Sequence, residues 1–240
     1  MPTTEAPEPI DVLVCRGLME YVDEEMGQAI ELLERANAYI HAEKGVKVHD
    51  VLRDLTIDIG RSEENWLFGT AHHLQDFPSE DKIRDCKRIS VGRNDIQDLP
   101  TDLICSNLVS LELANNKKIR EVPQRFLSTA CMSLRVLDLS QCTSITSLPT
   151  SLGQLGQLEF LKLTGCYRLK NLPESTGNLS RLRFLHLEFC QSLDSLPDSI
   201  GELRNLKLLN LEGCRSLDSL PDSIGELRNL KLLNLDGCES

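Results

Sequence analysis

Aromatic residues make up only 4% of this 240-residue chain, and it has a single tryptophan. No apolar run approaches the roughly 18 residues that a membrane-spanning helix requires, so no membrane span is expected. The first ten residues are acidic and proline-bearing, without the basic start and apolar stretch of a secretory signal. Acids outnumber bases 37 to 26, so the chain lacks the positive excess that phosphate-driven nucleic-acid binding needs. The sequence contains no Gly-Lys dipeptide, which excludes a G-x-x-x-x-G-K-[ST] phosphate loop. G-x-S-x-G and H-E-x-x-H are absent as well, and His72-His73 lies in a polar stretch with no ligand spacing around it. The expectation is therefore no enzyme, no metal site and no nucleic-acid partner.

Charge is unevenly spread. Residues 1–85 hold 19 acids and 8 bases, whereas residues 86–240 hold 18 of each. That shift suggests two regions, the first with either a solvated acidic surface or a partner-docking face.

What the sequence does have is a repeat. Residues 192–214 read SLDSLPDSIGELRNLKLLNLEGC, and residues 216–238 repeat them with one change, Glu212 against Asp236. More diverged copies run back through residues 172–190 and 148–166, and L-x-x-L-x-L-x-x-C/N persists at 134–142 and 108–116. Residues 86–94 keep the frame as C-x-x-I-x-V-x-x-N. The ninth-position residues fall at 94, 116, 142, 166, 190, 214 and 238. Within one copy, Leu209-Asn210-Leu211 alternates as a short strand with its leucines inward. Ser223-Ile224-Gly225-Glu226 has capping-box spacing, and Gly225 limits any helix there to a single turn, of the tighter kind. One such coil cannot cover its own apolar row, so coils must stack with strands about 4.8 Å apart. The pattern defines an α/β fold, a leucine-rich-repeat solenoid with a parallel sheet on its concave face.

Five of the nine cysteines, at 142, 166, 190, 214 and 238, are ninth-position residues. A spacing of 24 does not match zinc ligation, where paired cysteines lie two to four residues apart. They are expected to form a buried ladder of small, weakly donating side chains.

Upstream, Met26, Ile30, Leu33 and Ala36 recur at helical intervals. Two strand-like runs flank Glu43-Lys44-Gly45, and Leu52, Leu55 and Ile59 mark a second helix. Helix, hairpin and helix make a winged-helix-like unit. The expected division is an acidic tail at 1–10, a winged-helix-like segment at 11–60, a connector at 61–85, and about seven repeats at 86–240, the last truncated.

Val48-His49-Asp50, followed by Val51-Leu52-Arg53-Asp54-Leu55, resembles the "MHD" motif of plant nucleotide-binding (NB-ARC type) leucine-rich-repeat disease resistance proteins. Residues 16–42 resemble the winged-helix subdomain of that family, and the L-P-x-S-I-G-x-L form resembles its repeats. In that family the motif's histidine approaches the diphosphate of bound ADP. The resemblance carries this role to His49, with Asp50 beside it, only where a nucleotide-binding core is supplied. No cofactor is expected for this chain alone, because the phosphate loop that would cradle ADP or ATP is missing. The resemblance implies a cytoplasmic protein-recognition module of an immune receptor, truncated or partial. Its expected partners are proteins: a pathogen effector, a host protein under surveillance, or the receptor's own nucleotide-binding region. The alternative is a free-standing intracellular scaffold of the Ras-associated repeat type.

The expected partner face follows from strand alternation. Third-position residues run Ser110, Val136, Phe160, Phe184, Leu208, Leu232, and fifth-position residues run Glu112, Asp138, Lys162, His186, Asn210, Asn234. Seventh positions add Glu188 and Glu212. Phe160, Lys162, Phe184, His186, Glu188, Asn210, Glu212 and Asn234 are the candidate partner-binding residues, with Phe160 and Phe184 as exposed neighbours at the centre.

Overall fold

The computed structural model describes residues 66–68, 74–103, 105–127 and 131–238. The winged-helix-like segment, with His49 and Asp50, lies outside the described residues. Among the described residues, eight three-residue strands form one parallel sheet in strict chain order: β1 (Trp66–Phe68), β2 (Arg88–Ser90), β3 (Ser110–Glu112), β4 (Val136–Asp138), β5 (Phe160–Lys162), β6 (Phe184–His186), β7 (Leu208–Asn210) and β8 (Leu232–Asn234). A short helix, α1 (Glu80–Ile83), lies between β1 and β2.

The sheet starts earlier than the repeat pattern indicates. β1 falls inside the stretch assigned to a connector, and pairs in register with β2, Leu67 opposite Ile89. In the repeat frame residues 64–72 read ENWLFGTAH, with one leucine kept at the fourth position and glycine at the sixth. The alternation that betrays the other strands is missing there.

From β2 to β7 the central residue of each strand and the inward residue just after the strand, such as Leu111, Leu113, Leu161, Leu163, Leu185, Leu187, Leu209 and Leu211, are fully buried and form one continuous core. On the opposite wall, 3-10 turns recur at Thr150–Gln154, Glu174–Asn178, Asp198–Glu202 and Asp222–Glu226. Each follows a proline that takes the cap position, and none is capped by a side-chain hydrogen bond. The capping box expected at Ser223 and Glu226 is therefore not formed: the turn already begins at Asp222, so Ser223 lies inside it. Coils approach closely on this wall. A Cβ on Gly177 would fall 2.5 Å from the carbonyl oxygen of Ser199, so only glycine permits that spacing.

The ninth position bonds one coil to the next. Asn116 donates from Nδ2 to the carbonyls of Leu113 (2.8 Å) and Val91 (2.9 Å), while its Oδ1 accepts from the Ile96 amide at 3.2 Å. In later coils cysteine replaces it, and each thiol donates to the carbonyl of the preceding coil. Cys142 reaches Leu113 at 3.3 Å, Cys166 reaches Leu139 at 3.2 Å, Cys190 reaches Leu163 at 3.2 Å and Cys214 reaches Leu187 at 3.1 Å. A thiol fills this bend with one weak donor and no acceptor demand. Burial pushes these thiols up, Cys214 to about 12, so they stay protonated and able to donate. The ladder expected from the spacing is present, and all the described cysteines are unpaired.

Candidate partner-binding face

Because the strands pair in register, equivalent positions stack into columns: Phe160, Phe184, Leu208 and Leu232 lie side by side, as do Lys162, His186, Asn210 and Asn234. The columns read from the sequence are those of the structure. Their exposure is not uniform.

The Phe160 and Phe184 rings stack nearly parallel, 4.5 Å between centroids and 8° between planes. Phe160 is half-buried, but Phe184 is 1% exposed. Phe184 points away from core Leu185, yet its neighbours in the column close over it, with Phe160 on one side and buried Leu208 in register on the other. Strand parity assigns a face, not accessibility. The expectation of two exposed aromatics is corrected: Phe184 is packing beneath the face, and only Phe160 offers a ring edge.

Next to this column is a carboxylate network centred on Glu188. Its Oε1 contacts His186 Nδ1 at 2.8 Å and accepts from Asn210 Nδ2 at 2.7 Å, and its Oε2 accepts from Thr164 Oγ1 at 2.7 Å. Burial alone would raise the Glu188 carboxyl, but the adjacent His186 and the hydrogen bonds from His186 and Thr164 outweigh it. The group is held below the usual carboxylate range. Glu188 is thus a preorganised anion that fixes three side chains from three successive coils. Asn210 and Asn234 also brace the backbone, accepting from the amides of Glu212 (3.1 Å) and Asp236 (3.0 Å). Asn234 Nδ2 reaches Glu212 Oε2 at 3.4 Å, and Lys162 Nζ lies 3.9 Å from Asp138 Oδ2. The candidate polar residues are therefore brought together on one face, all half-buried.

One residue that strand alternation does not select stands out. Every eighth position from Arg93 on has positive φ: Arg93, Asn115, Gln141, Gly165, Phe189, Gly213 and Gly237. Glycine is at ease there, whereas a bulky side chain is strained. Phe189 has φ 59° and is 42% exposed, beside the glycine-occupied eighth positions of the coils before and after it. Its amide donates to the backbone carbonyl of seventh-position Glu212 at 2.6 Å, which ties it to the next coil. The signal was in the sequence: Gly-Cys recurs at 165–166, 213–214 and 237–238, and Phe-Cys interrupts it at 189–190.

An in-register parallel sheet, a wall of 3-10 turns and a bonded ninth-position ladder together define a leucine-rich-repeat solenoid. Residues 106–167 match the family model described as leucine rich repeat, and residues 174–240 match that of a leucine-rich repeat region. The relatives of these repeats are plant disease resistance proteins. The chain is 31% identical over 121 residues to disease resistance protein RFL1 of Arabidopsis thaliana, covering 48% of this chain and 13% of that protein. It is 30% identical over 165 residues to disease resistance protein SUMM2 of the same plant, covering 63% of this chain and 18% of SUMM2. The chain thus spans less than a fifth of the length of these relatives. Among solved structures, the leucine-rich repeat domain of the type III effector XopL matches with a TM-score of 0.52 at 20% identity. That match covers 95% of this chain and 96% of the other, and it bears on the fold alone. Among the described residues, no helix is long and apolar enough to cross a membrane.

Proposed function

We propose that this chain is a protein-recognition region of a plant intracellular immune receptor. Its repeats would sense a pathogen effector or a surveyed host protein on the concave face. The carrying observation is Phe189: an exposed aromatic, held in a conformation costly for its type, beside the fixed Glu188–His186–Asn210 network. Strain of this kind persists where surrounding structure enforces it, and exposed aromatics with preset polar neighbours are the usual anchors of interfaces. The similarity to disease resistance proteins supports the immune setting and a cytoplasmic location. Coupling to a nucleotide switch, with His49 and Asp50 as its sensing residues, would require a nucleotide-binding core in addition to this chain. By itself the chain is a non-enzymatic binder, and ADP titrated into it with Mg²⁺ should give only dilution heat.

A pairwise binding matrix against cloned effectors and host proteins tests the reading. Support is a specific partner whose binding is lost in Phe189→Ala and in Asn210→Ala while both variants stay folded. A partner whose binding survives replacement of all the exposed concave residues would place recognition elsewhere.

A further inference from the structure

From the repeat at 134–142 on, the second position, immediately before the strand, forms another column: Arg135, Glu159, Arg183, Lys207 and Lys231. Backbone bonds hold neighbours in place, Lys207 N to the Arg183 carbonyl and Lys231 N to the Lys207 carbonyl, each at 2.8 Å. In its first half the column is internally compensated. Buried Glu159 takes Arg135 Nε on Oε1 at 2.8 Å and Arg183 on Oε2 at 3.5 Å, one carboxylate bridging bases from the coils on either side. In its second half no acid follows. Among the described residues Lys207 and Lys231 have no ion-pair partner, and they continue the run from Arg183 at a coil spacing of about 4.8 Å. Burial, with Arg183 and Lys231 on either side, lowers Lys207 from its ordinary value, as expected for a cation crowded by cations.

Resting on the concave-face reading, we infer that the Arg183–Lys207–Lys231 row takes an acidic helical segment of a partner protein. Its carboxylates would bridge successive coils as Glu159 does within the chain. Residues three or four apart on a helix have Cβ atoms about 5–6 Å apart, close to the coil spacing, and the carboxylate of each would make charge-assisted bonds to two bases. The row is a rim on one side of the strands, whereas Glu188, Glu212 and Asp236 occupy the other. An acidic helix is thereby steered to one rim and repelled from the opposite one.

The test uses the full chain and a fluorescein-labelled helical peptide with glutamate at every fourth position, read by anisotropy. The expected result is saturable binding that weakens with added salt and falls about tenfold or more in Lys207→Gln/Lys231→Gln. Arg168→Gln/Lys170→Gln, an equal charge change at exposed residues outside the column, should leave it unchanged. The inference is overturned by equal loss in both pairs or by unchanged affinity in the first. Equal binding of the glutamine counterpart peptide, or tripolyphosphate held by the same lysines as tightly as the peptide, would also overturn it. Each of these outcomes leaves the Phe189 reading standing, because that reading is tested on a different rim with a different variant.

Discussion

The ring of Phe189 occupies the space that a side chain at Gly213 would need: a Cβ built on Gly213 falls 2.6 Å from Phe189 Cδ1. Both residues are eighth-position residues with positive φ, on neighbouring coils, so the exposed ring and the bare glycine are one arrangement. Gly213→Ala should therefore cost about 1 to 3 kcal/mol, combining left-handed strain with the clash. Gly237→Ala, whose nearest neighbour would be at 3.6 Å, should show the strain alone. In a Phe189→Ala background the excess cost at Gly213 should vanish. Denaturant unfolding of the four variants measures it, and an excess that persists without the ring would refute the pairing.

Phe184 is a matter of stability. A ring buried to 1% and stacked on Phe160 should cost about 3 to 5 kcal/mol when truncated to alanine, while half-buried Phe160 should cost roughly half as much. A Phe184→Ala loss below about 1 kcal/mol would mean that the ring is exposed after all and belongs to the partner face.

Buried thiols outside the ladder make stability fall in alkali. Burial first, and neighbouring thiols next, push Cys105 up to about 11 and Cys131 to about 12. Unfolded thiols titrate near 9.0, so above that pH the folded state retains protons that the unfolded state has lost. Their stabilising contribution is complete below pH 9.0 and is lost as pH rises towards about 12. Denaturant midpoints measured from pH 8 upward should decline over that range, and should decline less in Cys131→Ala measured against its own value at pH 8. An equal decline in that variant would contradict the linkage.

How much of this was legible in the residues differs from element to element. The 24-residue spacing of Cys142 through Cys238 fixed the coil, and period-two alternation placed Lys162, His186 and Asn210 in one column, because register follows directly from the repeat. β1 was hidden, since Trp66-Leu67-Phe68 leads into Gly69 where the frame expects leucine. Strand alternation gives Phe184 the right face but not its exposure, because cover depends on what stacks alongside. Strand alternation does not select Phe189, because the residue lies in the bend after the strand. There the informative signal was a break in a Gly-Cys consensus.

The last strand should be the weakest. Leu233 and Leu235 are each 39% exposed in β8 and the residue after it, against full burial of their equivalents Leu209 and Leu211 one coil earlier. In the 240-residue chain, amide exchange over 228–238 should be fast in dilute solution and slow only with concentration-dependent association. Strong protection in a dilute monomer would contradict this.

The central claim is that Phe189 anchors a protein partner on the concave side. Its most direct test is the affinity of an identified effector or host partner for the wild type, Phe189→Gly and Phe160→Ala at equal folded concentrations. Phe189→Gly removes the ring and suits the backbone, so folding stability should stay within about 1 kcal/mol of the wild type. Partner binding should weaken by about 2 kcal/mol or more, some thirtyfold in Kd. Unchanged affinity in Phe189→Gly, with the partner still competing for the concave face, would contradict the assignment.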